Sequence, residues 1–346
     1  MNVTKPVKSS LVKNGCMLME LAPFRVDDLV LPRGAGNPSE SVKKMSETVT
    51  VFGADQCQGN AVATALLQDG HFTVRAVVQE LTSLSTQQLQ TSGAHSFLAD
   101  YNNPASIGSA LCGAHKCFVI THTDFNHNDP LRTEIQQGYK IADLCKQHNI
   151  KQVVLSGAHH VHRKYSLPAR HMDAKACIND YMNEISLPKT EIIVPFYFES
   201  FLTTFKPSPA GNNTYKIAIP MGEAAMDGIS IKQIGPIVTT LFKNPRRWIG
   251  KSCFLSAGSL RIREYAQILT NQLYPKQFKD SRVSLREFVE CFGGPGAQDL
   301  GNMFEFWKRG GQKMNCALTL ELYPELQQFQ EWVSANSTIL RTALDN

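Results

Sequence analysis

A glycine-rich turn near residue 55 is the first part of the chain that could do chemistry. It reads Gly53-Ala54-Asp55-Gln56-Cys57-Gln58-Gly59 and follows the β-branched run 48–52. In such a turn, backbone N–H groups and a helix N-terminus approach a pyrophosphate, and a Cβ would block that approach. The outer glycines fit the spacing G-x-x-G-x-x-G, which predicts dinucleotide binding. The alternative is that Gly53 and Gly59 only permit a tight turn and close packing of a helix on a strand.

Two residues inside the turn oppose the binding of a phosphate. Gln56 puts a side chain at the position of the middle glycine, and Asp55 brings a carboxylate to the helix N-terminus. That charge stabilises the helix by roughly 0.3–1 kcal/mol, but it would repel a pyrophosphate. One hypothesis is therefore that Asp55 is a built-in anion that caps an emptied site.

The end of the second predicted strand bears on the choice of dinucleotide. A basic residue there favours the 2′-phosphate of NADP, and an acidic residue favours the free ribose hydroxyls of NAD. Gln79 is neutral, Glu80 is acidic, and Arg75 lies four residues before Gln79. These residues alone give no preference for NADP, and NAD stays an alternative.

Three histidines and one cysteine could in principle bind a metal or react with an oxidant, but their positions in the sequence give little support for either role. His159, His160 and His162 have no carboxylate or thiol at ligand spacing beside them, so an exposed loop is favoured over a metal site. Cys57 opens the first predicted helix, where the helix dipole lowers a thiol pKa. It is a candidate redox thiol, with helix packing as the favoured alternative.

An alternation of strands and helices positions the glycine-rich turn. Strands are predicted at 48–52, 72–78, 96–100, 117–121, 153–156 and 191–194, and helices at 60–68, 105–111, 129–148 and 169–183. This order predicts a doubly wound α/β fold with a parallel sheet. We expect a flexible extension at 1–47, a Rossmann domain at 48–200, and a smaller α+β domain at 201–346 with elements that return to the Rossmann sheet.

The last third of the chain carries weaker signals. Capping boxes are predicted at 230–233 and 284–287, a helix is expected to begin near Gln298 after the break at 293–296, and a terminal helix is expected at 325–344.

Composition excludes several classes of protein. The net charge of +5 comes without a long basic run, and no apolar run approaches the ~20 residues that span a membrane. Nine cysteines without a C-x-x-C pair indicate reduced thiols. We expect a cytoplasmic protein, with the nucleus as a second location, that binds neither nucleic acid nor membrane directly.

The chain resembles the NmrA-like family of atypical short-chain dehydrogenases, and within it the vertebrate redox-sensor proteins. The segments that carry the resemblance are 51–78, 153–161, 195–201, 225–238 and 292–307. The resemblance implies a protein that senses NADPH by binding it and regulates protein partners without evident turnover. A transcription factor and a metabolic enzyme are the partner classes considered, and a second copy of the chain is another.

The resemblance also assigns cofactor positions. The family turn usually reads GxTGxQG, and this chain has Asp55 in place of the threonine and Gln56 in place of the second glycine. The family also has a basic residue after the second strand, and this chain has Gln79 at that position. The contacts that it carries over are Gly53, Gly59, Thr121, Lys175 and the segment from Pro195 to Phe198. The departures at positions 55, 56 and 79 predict weak or altered binding of NADP(H).

Three positions match the catalytic set of short-chain dehydrogenases, in degenerate form. Ser156 matches the serine and Lys175 the lysine, but His171 stands where the catalytic tyrosine belongs. No tyrosine in the chain has a lysine four residues further on. His171 is therefore either a substitute proton relay or, as we favour, a histidine on a helix surface. The preferred function is a regulator without catalysis, and the alternatives are an active NAD(P)-dependent reductase and a cofactor-free interaction scaffold.

Overall fold

The structure, a computed structural model, describes residues 46–345. The predicted extension at 1–47 lies outside the described residues except for its last two. The strands are β1 (Glu47–Val51), β2 (Phe72–Val78), β3 (His95–Leu98), β4 (Lys116–Val119), β5 (Gln152–Gly157), β6 (Lys189–Ile193), β7 (Phe196–Tyr197), β8 (Ser208–Pro209), β9 (Thr214–Ile217), β10 (Met226–Ile229), β11 (Ser252–Phe254), β12 (Ser259–Leu260) and β13 (Gln277–Asp280).

Helices follow most of the strands. They are α1 (Cys57–Asp69), α2 (Leu84–Thr91), α3 (Pro104–Leu111), α4 (Pro130–Gln147), α5 (Val161–Tyr165), α6 (Arg170–Glu184), α7 (Ile231–Lys243), α8 (Pro245–Trp248), α9 (Ile262–Gln272), α10 (Leu285–Phe292), α11 (Ala297–Lys308), α12 (Cys316–Leu322), α13 (Phe329–Ala335) and α14 (Ser337–Asp345), with a 3-10 helix at Phe198–Leu202.

The predicted doubly wound α/β fold is confirmed. Seven parallel strands form one sheet in the order β11-β6-β5-β4-β1-β2-β3. The order reverses between β1 and β4, because β2 lies on one side of β1 and β4 on the other. In such sheets the ligand crevice opens at the carboxyl ends of the strands at this reversal.

Elements from the C-terminal half pack on this sheet. β11 extends it beyond β6, and α7 packs so closely against α1 that a Cβ on Gly235 would lie 2.3 Å from the carbonyl oxygen of Ala61. The buried side chains of Lys116 and Gln152 donate to the last carbonyl groups of α7, at 2.7 and 3.0 Å. Two three-stranded sheets, β12-β10-β7 and β13-β9-β8, complete the architecture.

Three predictions about the last third met different outcomes. The capping box at Ser284 is confirmed, but that at Ser230 is wrong. The hydroxyl of Ser230 donates instead to Glu199, at 2.5 Å, and this buried carboxylate also accepts the N–H of Ile231. The single terminal helix is wrong as well, because the chain breaks at Asn336 into α13 and α14.

Among residues 46–345, no helix has the length and the apolar character that crossing a bilayer requires.

Candidate functional site

The glycine-rich turn lies at the point where the strand order reverses. Gly53 follows β1 and Thr121 follows β4, so two of the predicted cofactor positions stand at the same edge of the sheet. Gly53 has a φ of +62°, which favours glycine, and its N–H donates to the hydroxyl oxygen of Tyr101 at 2.9 Å. This hydrogen bond joins the turn to the chain that follows β3.

Gly59 lets α1 pack directly on the turn. A Cβ at this position would lie 2.1 Å from the carbonyl oxygen of Gly53. Gln56 is the N-cap of α1, but its side chain caps no N–H group. It folds back towards Gly53 instead. Its Oε1 lies 3.6 Å from the position that a Cβ on Gly53 would occupy. The side chain at the N-cap position thus leaves the first N–H groups of α1 uncapped. N–H groups at a helix N-terminus can bind an anionic ligand.

Asp55 does not cap α1, which corrects the hypothesis of a built-in anion at the helix N-terminus. Its Oδ2 accepts the backbone N–H of Gln79 at 2.7 Å and so joins the turn after β1 to the end of β2. Its Oδ1 is buried and has no hydrogen-bond partner within the described part of the chain, residues 46–345. The carboxylate lies beside the second strand instead of facing the phosphate position.

The side chains at the end of β2 offer no cation to that region. Arg75 donates to the carbonyl oxygens of Ala110 and Cys112, at 3.1 and 2.5 Å, and is thus engaged at the end of α3. Gln79 and Glu80 are exposed, and Glu80 accepts the hydroxyl of Thr82. Neither Arg75 nor Gln79 is placed to neutralise a 2′-phosphate.

Ser156 is buried and directed into the protein. Its hydroxyl donates to Oε1 of Gln58 at 3.0 Å, and the hydroxyl of Tyr197 donates to the same oxygen at 3.3 Å. Gln58 is 4% exposed, and its Nε2 has no partner among the described residues. Sequence reasoning missed Gln58 as a site residue, although it is the glutamine that the family turn contains.

The predicted segment 195–198 divides in two. Tyr197 faces Gln58, whereas Phe198 packs in an aromatic cluster, with ring centroids 5.1 Å from Phe329 and 5.7 Å from Trp332. Pro195 is buried at the start of this segment.

Lys175 is bound to a buried carboxylate. Its Nζ lies 2.6 Å from Oε1 of Glu134, whose side chain is fully buried. Glu134 also accepts the hydroxyl of Thr121, at 2.5 Å, and that of Thr123. Sequence reasoning missed Glu134, which lies within the helix predicted at 129–148. The buried positions 134, 138, 141 and 145 follow helical spacing and would have revealed it.

His171 is half-buried and paired, which corrects the interpretation of a histidine on a helix surface. Its Nδ1 is hydrogen-bonded to Oδ1 of Asp299 on α11. Asp299 also accepts the N–H groups of Arg170 and His171, at 2.5 and 3.3 Å, so it caps α6 from outside that helix. Burial alone would raise the pKa of Asp299, but the hydrogen bond and the charge of His171 together with the two N–H groups outweigh it and lower that pKa.

Phe125 connects this pair to the loop after β4. Its ring stands edge-on to His171, with centroids 6.1 Å apart. A Cβ on Gly296, at the start of α11, would lie 3.0 Å from the Phe125 ring. The loop that follows β4, helix α6 and helix α11 therefore meet at one place.

His122 is a further site residue that sequence reasoning missed. It stands between Thr121 and Thr123 and is half-buried. Burial and then the charge of Lys175 lower its pKa, against the opposing effects of Glu134, Asp124 and Asp55. The loop that follows β4 thus carries a histidine that favours its neutral form.

The three neighbouring histidines have separate surroundings. His159 stacks on Phe254 with centroids 5.6 Å apart, and His160 is bonded to Asp180 at 2.8 Å. His162 is exposed, and its N–H donates to Asp173 at 3.0 Å. Residues 46–345 contain no cluster of three or more His, Cys, Asp or Glu side chains that could hold a metal ion.

These features define a Rossmann-like α/β fold with a seven-stranded parallel sheet flanked by helices. The sequence pattern of the NmrA-like family matches residues 45–333, and the chain belongs to that family.

Relatives and solved structures are similar over most of the chain. An NmrA-like family domain-containing protein of Dictyostelium discoideum is 25% identical over 68% of this chain and 82% of its own length. An NmrA-like family domain-containing oxidoreductase of Malbranchea aurantiaca is 30% identical over 70% of this chain and 76% of its own.

Among solved structures, NmrA, a negative transcriptional regulator, in complex with NADP superimposes with a TM-score of 0.73 at 18% identity, over 87% of this chain and 98% of that one. Its complex with NAD gives 0.74 at 18% identity, over 88% and 99%. Citrobacter triphenylmethane reductase with NADP(H) gives 0.69 at 17% identity, over 86% and 100%.

Proposed function

We propose that this chain is a non-catalytic NmrA-like regulator that binds a nicotinamide dinucleotide and alters its contacts with partner proteins in response. One observation carries the proposal: each of the three degenerate catalytic side chains is hydrogen-bonded to a buried side chain of the protein. The pairs are Ser156 with Gln58, His171 with Asp299, and Lys175 with Glu134.

The residues present fit a dinucleotide. Gly53 and Gly59 bring the backbone of the turn close to α1, and the N-cap side chain leaves the start of α1 to an anion. Nε2 of Gln58 has no partner among the residues that the structure describes, so it can donate to a ligand oxygen. NmrA, which shares the fold, has been solved with NADP and with NAD. The nicotinamide of a bound dinucleotide would supply or accept a hydride.

The same contacts disfavour turnover. Reduction of a carbonyl needs a proton donor beside the substrate and a group that polarises the oxygen. The hydroxyl of Ser156 donates inward, and the ammonium group of Lys175 is paired with the carboxylate of Glu134. A paired lysine lowers the pKa of a neighbouring proton donor less than an unpaired one does.

The contacts around Phe125 offer a route from the crevice to the protein surface. Phe125 lies in the loop between β4 and α4 and packs against both His171 and the start of α11, while Gly294, Pro295 and Gln298 are exposed. A dinucleotide that shifts the loop between β4 and α4 would therefore also shift the partly exposed segment 294–298. The partners we infer are regulatory proteins, with a transcription factor or a metabolic enzyme as the classes to test first, and a second copy of this chain as a further one.

A second candidate function is an active reductase. The observation in its favour is the His171–Asp299 pair, because a carboxylate on Nδ1 orients the ring and leaves Nε2 to exchange a proton. Oxidoreductases among the family members support this alternative.

One experiment separates the two functions. Purified protein is titrated with NADH and NADPH by fluorescence, and absorbance at 340 nm is then followed with a panel of quinones and aldehydes. The proposal expects saturable binding of at least one dinucleotide and no consumption. The reductase would be established if the protein consumes NADH or NADPH, if His171→Ala abolishes this consumption, and if His162→Ala, at an exposed position, leaves it unchanged. A folded protein that binds neither dinucleotide would leave the cofactor-free scaffold.

A further inference from the structure

We propose that Asp55 makes the crevice selective for a dinucleotide with a free ribose 2′-hydroxyl, NAD(H), and against the 2′-phosphate of NADP(H). This inference rests on the proposed function, since it concerns which ligand the same site accepts.

The position of the carboxylate is the first step. Oδ2 of Asp55 accepts the N–H of Gln79 at 2.7 Å and so connects the glycine-rich turn to the residue that follows β2. In dinucleotide-binding sheets, the adenine ribose lies beside the end of the second strand. A negative charge is therefore fixed where the 2′ substituent of the ribose would lie.

The second oxygen of the same carboxylate shows which substituent fits. Oδ1 is buried and has no hydrogen-bond donor among residues 46–345, and leaving a buried acceptor without a donor is unfavourable. A ribose hydroxyl can donate to it. A phosphate dianion offers only acceptors and adds like charge at close range. Entry of the ribose would require a shift of the exposed residues 79–82 beside the carboxylate.

Among the described residues along β2 and just after it, no unengaged cation is available to offset the charge of Asp55. Arg75 is engaged by the carbonyl groups of Ala110 and Cys112. Gln79 is neutral, and Glu80 adds a second acidic group at the end of β2. The neighbour on α2 is Ser85, whose hydroxyl donates to the carbonyl oxygen of Asp55 at 3.5 Å.

An independent observation at Gln58 supports a ligand at the turn. Gln58 is 4% exposed, its Oε1 is held by Ser156 and Tyr197, and its Nε2 has no partner in the part of the chain that the structure describes. A buried amide donor suits a phosphate or carboxamide oxygen. Donors that NAD and NADP share are thus present, and the difference between the two lies at Asp55.

Calorimetric titration with NAD⁺, NADH, NADP⁺ and NADPH tests the inference on four proteins: wild type, Asp55→Asn, Asp55→Thr and Asp100→Asn. Asp55→Asn keeps an acceptor for Gln79 and puts a donor at the second position, and Asp55→Thr restores the residue type that is usual in the family turn. Asp100→Asn is the matched control, because this exposed carboxylate follows β3. Thermal unfolding shows that each variant is folded.

The expected result is that wild type binds NAD(H) at least tenfold more tightly than NADP(H). Either Asp55 variant should shift this ratio towards NADP(H) by roughly 10- to 100-fold, as expected when one hydrogen bond to a charged group is lost, and Asp100→Asn should not change it. Wild type that prefers NADP(H), or Asp55 variants with an unchanged ratio, would overturn the selectivity and leave the proposed function standing. Folded wild type that binds none of the four would overturn both.

Discussion

His171 on α6 is hydrogen-bonded through Nδ1 to the carboxylate of Asp299 on α11, 128 residues further along the chain. The same carboxylate accepts the first N–H groups of α6. The helix that carries Lys175 is therefore held at its N-terminus by a residue from the C-terminal part of the fold.

Asp299→Asn should lower the free energy of unfolding by about 1–3 kcal/mol. The substitution replaces a buried anion, which accepts three donors, with an amide that presents N–H groups to some of them. Urea denaturation measures the loss. Asp129→Asn is the control, because Asp129 caps α4 at an exposed position and asparagine caps a helix equally well. Equal losses in the two variants would show that burial of Asp299 contributes nothing.

The Lys175–Glu134 pair should show strong energetic coupling. Lys175→Met leaves the fully buried carboxylate of Glu134 without a cation and should cost about 3–5 kcal/mol. Glu134→Gln should cost less, because the side chain of Lys175 is 16% exposed and water can solvate it.

The double variant should recover much of the loss in a double-mutant cycle monitored by urea denaturation, since both charges are then absent. Glu290→Gln, which breaks the exposed pair with Arg286, should change stability by less than about 1 kcal/mol. If the loss of unfolding free energy in the double variant equals the sum of the losses at 134 and 175, the two residues are not coupled.

His122 should make stability fall in mild acid. Burial and the charge of Lys175 lower its folded pKa below the ordinary 6.5, so the unfolded chain binds more protons in that range. Stability is therefore complete above pH 6.5 and decreases as the pH falls through that value towards the folded pKa.

His122→Gln should reduce the loss of stability between pH 7.5 and 5, measured by chemical denaturation at each pH. Some slope should remain, because burial also lowers the pKa of His159. His95→Gln, at an exposed position, serves as the control. A slope that His122→Gln leaves unaltered would show that His122 is solvated in the folded protein.

Gly59→Ala should destabilise the fold by about 1–3 kcal/mol and weaken dinucleotide binding. Its Cβ would lie 2.1 Å from the carbonyl oxygen of Gly53, so α1 must move away from the turn. Gly108→Ala is the matched control. Its Cβ would meet only the ring of His148, at 3.4 Å, and alanine favours the helix by up to about 1 kcal/mol. Thermal unfolding and calorimetry measure both effects, and a fully stable Gly59→Ala protein with normal binding would contradict the close packing.

Local signals explain which features the sequence could predict. The turn at Gly53 and the alternation of strands and helices depend on residues close together in the chain. Glu134 and Lys175 lie 41 residues apart, and His171 and Asp299 lie 128 apart, so no local pattern announces either pair. The capping box at Ser230 was wrong for the same reason, because Glu199 competes successfully for the hydroxyl group.

Hydrogen exchange of the segment 293–299, with and without saturating NADH, tests most directly whether the crevice regulates the surface. Absorbance at 340 nm in the same sample reports consumption. We predict slower exchange around Gly296 and Asp299 when NADH is bound, an effect that Phe125→Ala removes, together with constant absorbance. Unchanged exchange in this segment with NADH bound, or steady oxidation of NADH by a carbonyl compound, would contradict a non-catalytic regulator.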